Sequence, residues 1–345
     1  MNKINYLFTS LIFLFSLNGL AQSWQKINIP DAFCGDGKPY SIFLKNKSNK
    51  KLIIEIMGGG ACWSANTCDG MIPKTWIHKV PELSNFSYIT KPKKENPWKN
   101  HTVLFLPYCT GDIHAGRTSV TYTHGSDSLI VHHTGYHNII KTLKYLYEND
   151  LVKFHDFDDV TLFGASAGAL GAMIHTQNIN AYLNTQIKKT LILDSPGLIF
   201  ESKVWKRFPE TLWADILQSF KDAGFNLNLK TVTGASLVKD LYHYAKLNSG
   251  WNIGILQPKK DLIMSRTFGK IKAIEFEKQL NTQLNDVNQS QTEMTPNLKF
   301  WLPDSYMHTL LLLKTTSKIE NDNKQSAFEF AKEIYGMRYP HIPIN

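Results

Sequence analysis

The sequence predicts an α/β fold, with a mainly parallel central sheet, helices on both faces and a helical cap inserted late in the chain. Three observations carry this. Short apolar runs alternate with stretches of helical periodicity along the 345 residues, the pattern of doubly buried strands joined by crossover helices. Hydrophobic residues make up 43% of the chain and charged residues 19%, which supplies a large core and excludes a disordered or fibrous chain. A Gly-x-Ser-x-Gly stands where a strand-like run meets a helix-like run, the context in which that motif has meaning.

The elements follow in order. Residues 1–3 are a short basic start, 6–17 a mostly apolar run, and Gly19 and Ala21 the small residues of a cleavage site. Residues 1–21 therefore read as an export signal, with Gln22 opening the mature chain. The run is shorter than the roughly 20 residues that span a bilayer, and no later segment is long and apolar enough to do so. The expectation is an extracytoplasmic protein, periplasmic or secreted, with no stable membrane insertion after cleavage.

Residues 22–345 read as one catalytic domain. Runs 51–57, 102–107, 160–163, 190–193, 252–256 and 299–302 are strands. Runs 136–147, 167–183, 271–284 and 326–335 are helices. The segment at about 200–250, with Trp205 and Trp213, reads as the inserted cap. There is no internal repeat and no Pro-, Gly- or Ser-rich linker.

Charge narrows the partners. Lys and Arg total 38 against 29 acidic residues, a net charge of +9. The basic residues are scattered and show no stripe or aromatic alternation, so nucleic acid is not expected. The sequence leaves the oligomeric state open. The four cysteines, Cys34, Cys62, Cys68 and Cys109, suit disulfides in an exported chain. Cys62 and Cys68 are near enough to close a small loop, leaving Cys34 for Cys109, although four cysteines allow three pairings. Zinc is the other reading, but the spacing is not that of a zinc knuckle.

The chemistry centres on Gly164-Ala165-Ser166-Ala167-Gly168. A sharp strand-to-helix turn lifts Ser166 to the helix N-terminus, where the dipole and free N–H groups favour a developing anion. The glycines let strand and helix approach without Cβ clashes. The Ala167 N–H is one candidate oxyanion donor. A second arm is Gly58-Gly59-Gly60, directly after a strand, whose N–H groups at Gly59 and Gly60 can face a carbonyl oxygen. No Gly-Lys-Ser/Thr follows, so a phosphate loop is not indicated.

A nucleophilic serine needs a base and an orienting acid. His308 follows the last predicted strand, whereas His175 and His243 fall in helical stretches. Asp261 follows the strand at 252–256. Its rivals are Asp194, read as ordering the site loop, and Asp304, read as capping the last helix.

With these residues placed, the chain resembles the pectin acetylesterase/Notum family of α/β-hydrolase-like serine esterases. The resemblance runs from Cys34 to His308. Its matching segments are Cys34-Gly35-Asp36-Gly37, Gly58 to Asp69, Pro107 to Gly116, His132 to Asn138, Gly164 to Gly168, and Asp194-Ser195-Pro196-Gly197. The resemblance implies that Ser166 is the nucleophile, Asp261 the acid and His308 the base, that Gly59, Gly60 and Ala167 form the oxyanion site, and that Cys62 pairs with Cys68.

It also implies an acylated carbohydrate or other ester as substrate and no cofactor or metal. The animal lipid-esterase branch looks like Gly-Gly-Trp-Tyr-Cys in the oxyanion loop. Here that loop reads Gly59-Gly60-Ala61-Cys62-Trp63, closer to plant and bacterial members. Acetyl esters on a polysaccharide are the expected substrate, with a longer-chain lipid esterase and a non-catalytic carbohydrate-binding relative as alternatives.

A polar stretch completes the reading: Asp112, His114 and His124, with His132, His133 and His137. His133 and His137 share a helical spacing that suggests a metal. The family reading instead puts Asp112 and His114 on the rim of the site, touching a sugar or ordering the nucleophile turn. Trp63 stacks on a sugar ring or packs.

Overall fold

The computed structural model describes residues 24–69, 76–80, 87–230, 235–290 and 295–337. The expected export signal lies outside them. The strands are β1 (Gln25–Phe33), β2 (Pro39–Lys45), β3 (Lys51–Ile56), β4 (Thr102–Leu106), β5 (Thr118–His124), β6 (Asp127–His133), β7 (Asp159–Ala165), β8 (Lys188–Asp194), β9 (Asn252–Leu256) and β10 (Leu298–Trp301). The helices are α1 (Ala65–Asp69), α2 (Gly135–Glu148), α3 (Ala167–Asn180), α4 (Ser202–Trp205), α5 (Glu210–Asp222), α6 (Leu241–Leu247), α7 (Ala273–Ser290) and α8 (Ala327–Gly336).

Eight strands form one sheet in the order β1-β2-β4-β3-β7-β8-β9-β10. From β4 to β10 all pairs are parallel. β4, β7 and β9 are buried at every residue, because helices cover both faces. One face packs under α2 and α3 around Leu52, Ile54, Leu162 and Leu191. The other packs under α8 around Ile53, Phe163, Ile192 and Trp301. Parallel strands buried on both faces keep no solvent side, so their sequences run apolar without alternation.

The structure adds what periodicity does not reveal. β1 and β2 pair antiparallel with each other, and β2 pairs antiparallel with β4, making an edge. β1 is mostly exposed and carries a register shift, so it has no apolar signature. β5 and β6 form a separate hairpin whose turn uses Gly125 at φ +62°, a conformation that favours glycine. The helix expected at 271–284 runs on to Ser290.

Asp304 does not cap the last helix. Ser326 does so, in a reciprocal capping box with Glu329, while Asp304 pairs with Lys260. The segment read as a cap holds α4, α5 and α6; Trp205, Phe220 and Tyr244 are buried within it. No described helix is long and apolar enough to cross a membrane.

Candidate active site

Ser166 sits between β7 and α3 at φ +57°, ψ −126°. An L-residue adopts such a backbone at a cost of about 1–3 kcal/mol, so the surroundings must enforce it. They do so by close packing. A Cβ on Gly164 would lie 2.1 Å from the Gly168 carbonyl oxygen, and one on Gly168 would lie 2.1 Å from that of Ile56. The Ser166 N–H donates to the Asp194 carbonyl at 2.8 Å. The turn is thus clamped between β3, α3 and β8.

Three of the expected residues meet in one relay. Ser166 Oγ lies 2.8 Å from His308 Nε2, and His308 Nδ1 lies 2.8 Å from Asp261 Oδ2. Asp261 is fully buried. Its Oδ1 accepts the N–H groups of Ile263 and Met264, each at 3.0 Å, which aims Oδ2 at the imidazole. These residues are 95 and 47 positions apart in sequence but hang from the ends of β7, β9 and β10.

The His308 loop is held from behind. Asp194 is fully buried, and its carboxylate accepts the N–H groups of Leu310 and Leu311 at 2.7–3.0 Å. Ser195 Oγ donates to Asp194 at 2.9 Å and accepts the Thr309 N–H at 3.1 Å. Three successive backbone donors after His308 are therefore tied to the end of β8. Burial pushes the Asp194 pKa up, while those N–H donors and His308 pull it down.

The Gly58–Gly60 arm, expected to receive an oxyanion, is braced in the same way. Gly60 stands at φ +82°. The Gly59 carbonyl accepts the Ile77 N–H at 2.8 Å. Tyr108 Oη donates to the Gly60 carbonyl at 2.8 Å and accepts the Ile113 N–H at 2.8 Å. Ala167 opens α3, so its N–H has no partner within the helix. Cys62 pairs with Cys68 and Cys34 with Cys109, fixing this loop to α1 and β1 to the end of β4.

Asp112 and His114 are not on the rim, which corrects the sequence expectation. Asp112 is 0% and His114 2% exposed. Asp112 accepts N–H groups from His114, Gly116 and Gly135 and the Thr110 hydroxyl, between 2.6 and 3.2 Å. Burial pushes its pKa up to about 6 against those donors. His114 Nε2 donates to the Met57 carbonyl at 2.8 Å, and burial pushes its pKa down to about 4. Both are struts beneath the oxyanion arm.

His133 donates from Nδ1 to the Thr110 carbonyl at 2.7 Å, and its Nε2 accepts from the Tyr122 hydroxyl at 2.9 Å. It has no nitrogen left for a metal. The one grouping of ligand-type atoms among the described residues is His133 with Cys62 and Cys68, whose sulfurs are joined in a disulfide. Trp63 packs edge-on to Phe208 and Phe268 at 5.9 and 6.1 Å, beside the Arg207 guanidinium.

Two hollows meet at Ser166. One, of about 760 Å³, is lined by His308 together with Gly59, Ile77, Thr267 and Phe268. The other, of about 30 Å³, lies on the Ala61 and Ala167 side and is lined by Val204, Trp205, Phe208, Met264 and Phe268. Sequence reading missed Tyr108 as a brace and Glu55 as a wall of the large cavity. The signal for Glu55 was available, as a lone acid inside an apolar strand.

The chain matches the pectinacetylesterase family over residues 23–211, a stretch that includes Gly59, Gly60, Ser166 and Ala167 and stops before Asp261 and His308. It is 28% identical over 102 residues to the inactive palmitoleoyl-protein carboxylesterase notum1b of Danio rerio, covering 27% of this chain and 71% of that protein. It is 29% identical over 157 residues to palmitoleoyl-protein carboxylesterase notum2 of Xenopus laevis, covering 43% and 30%. The chain thus spans less than a third of the length of that second relative. Among solved structures, that of the Wnt deacylase Notum from Drosophila superposes on 92% of this chain and 95% of its own, with TM-score 0.60 and 18% identity, a likeness of fold.

Proposed function

The chain belongs to the pectinacetylesterase family, and from that premise we propose that it is an exported serine esterase that removes short acyl groups, acetate first, from a carbohydrate. One relative is inactive by name, so membership alone does not settle activity. What supports activity here is the complete relay, with both contacts at 2.8 Å.

His308 Nε2 takes the Ser166 proton as Oγ attacks the ester carbonyl. Asp261 holds the Nδ1–H tautomer and stabilises the imidazolium. The N–H groups of Gly59, Gly60 and Ala167 receive the oxyanion; losing one such donor typically costs ~10²–10³ in kcat. His308 then returns the proton to the leaving alcohol, and water hydrolyses the acyl-serine. The two disulfides suit an oxidising compartment.

The acyl length rests on one observation. The alcohol is protonated by His308, so it occupies the large cavity that His308 lines. The acyl group then falls to the opposite side of Ser166, where the recess is about 30 Å³. That recess is small and apolar beside the large cavity, and a short acyl group suits it better than a long one.

Hydrolysis of p-nitrophenyl esters from acetate to palmitate tests this. Acetate should be turned over fastest, with activity falling steeply beyond butyrate and vanishing in Ser166→Ala. A maximum at octanoate or longer overturns the acyl assignment, and full activity in Ser166→Ala overturns the mechanism.

A further inference from the structure

Ser166, Ser195 and Thr309 all stand at positive φ, at +57°, +56° and +64°. Residues with a side chain persist there only where their surroundings over-determine them. The two serines are short and unbranched. Thr309 is β-branched, and a branched side chain at that backbone is an outlier that glycine would avoid. It directly follows His308, so the strained turn carries the base of the relay.

The three residues are linked through the end of β8. The Ser166 N–H donates to the Asp194 carbonyl at 2.8 Å. The Thr309 N–H donates to Ser195 Oγ at 3.1 Å, and that hydroxyl donates to the Asp194 carboxylate at 2.9 Å. Nucleophile turn and base turn are therefore mounted on the same two residues. Before His308 the chain is less enclosed: Tyr306 is 54% and Met307 44% exposed, and His308 itself lies in no helix or strand. The contact of its ring with Ser166 is broken and remade in each turnover, so it cannot be what keeps the ring in line.

Thr309 Oγ1 donates to the His308 carbonyl at 2.6 Å, a bond that glycine could not supply. A local side-chain hydrogen bond offsets part of the cost of a positive φ, as it does for Asn and Asp. We propose that Thr309 is a positioning residue: its hydroxyl, closed on the His308 carbonyl within a strained turn, keeps the imidazole on the line between Asp261 and Ser166 while the proton is transferred. This rests on the esterase reading above and deepens it by assigning part of kcat to a side chain that touches no reacting atom. A small misplacement of a general base lowers kcat and leaves ground-state binding as it was. Thr309 also lines the large cavity, so direct contact with the substrate is the competing role, and KM separates the two.

The test is steady-state hydrolysis of p-nitrophenyl acetate, with thermal melts, by the wild type, Thr309→Gly and Thr309→Ser. Glycine adopts the turn without strain but lacks the hydroxyl. Thr309→Gly should lower kcat about tenfold while KM and Tm stay near those of the wild type. Thr309→Ser keeps the hydroxyl and should retain most of kcat. If Thr309 only completed the fold, Thr309→Gly would change Tm and leave kcat intact, and that result overturns the proposal. A loss of kcat that Thr309→Ser shares in full overturns it as well, since the hydroxyl would not be the cause. So does a raised KM with unchanged kcat, which would make Thr309 a substrate contact. A wild type that hydrolyses no ester of any chain length would instead overturn the esterase reading itself.

Discussion

Asp194 and Asp261 are both buried near His308, yet they do different work. Asp261 points a carboxylate oxygen at the imidazole. Asp194 holds the backbone that carries it. Asp261→Asn should therefore keep the fold and KM while lowering kcat by up to ~10⁴, because the wrong tautomer faces Ser166. Asp194→Asn should lower kcat by on the order of 10² through misplacement of His308 and should also lower Tm, since one acceptor for the Leu310 and Leu311 N–H groups is lost. Steady-state kinetics on p-nitrophenyl acetate with thermal melts separates the two. An Asp261→Asn enzyme with wild-type kcat would remove Asp261 from the relay.

At the scale of elements, the outer wall of the recess beside Ser166 is built from two segments far apart in sequence. Val204 and Trp205 come from α4 and Phe208 from the turn after it, while Met264 and Phe268 come from a π-helical stretch, Ile263–Gly269. Such π turns are frequent at functional sites. Phe208 is buried, and its ring packs against Trp63. Phe208→Ala should open the recess and move the preferred p-nitrophenyl ester from acetate towards butyrate or hexanoate. The cavity should lower stability, by up to about 3–5 kcal/mol if the site does not collapse. An unchanged chain-length profile would show that the acyl group lies elsewhere.

At the scale of the molecule, burial sets how stability responds to pH. His101, His114 and His133 have pKa values pushed down to about 4, and His175 to about 3. The unfolded chain protonates these at its ordinary histidine value, near 6.5, while the fold keeps them neutral. Their contribution is thus lost as pH falls from about 6.5 towards 4.

Asp112 and Glu55 act in the opposite sense. Their folded pKa values are raised to about 6 and about 7, so the fold holds protons that the unfolded chain has released. That contribution is lost as pH rises towards 7. The four histidines outweigh the two carboxyls, so Tm should rise from pH 4 and level off above about pH 7, and a Tm that falls between pH 4 and about 6.5 would contradict this balance. Reduction should lower Tm as well, because Cys34–Cys109 closes a 75-residue separation, worth roughly 4 kcal/mol in the chain-entropy account.

By itself the sequence determined what depends on short stretches of chain. Apolar runs without alternation marked the parallel strands, and glycine spacing marked the turn at Ser166, because both are imposed by neighbours within a few residues. His308 and Asp261 were legible as residues following strands, since parallel sheets gather their loops at one end.

Asp112 and His114 were not legible as struts. Polar side chains are expected outside, and only the folded chain brings Gly116 and Gly135 N–H groups to Asp112. β1 is mostly exposed, and β5 and β6 form a separate hairpin with only alternate residues buried, so none shows the continuous apolar run of the central strands. The size of the recess beside Ser166 and the unpartnered oxygen of Glu55 were decided by tertiary structure alone. Each depends on side chains separated by up to hundreds of residues filling, or failing to fill, the same space, and no local stretch of sequence encodes that packing.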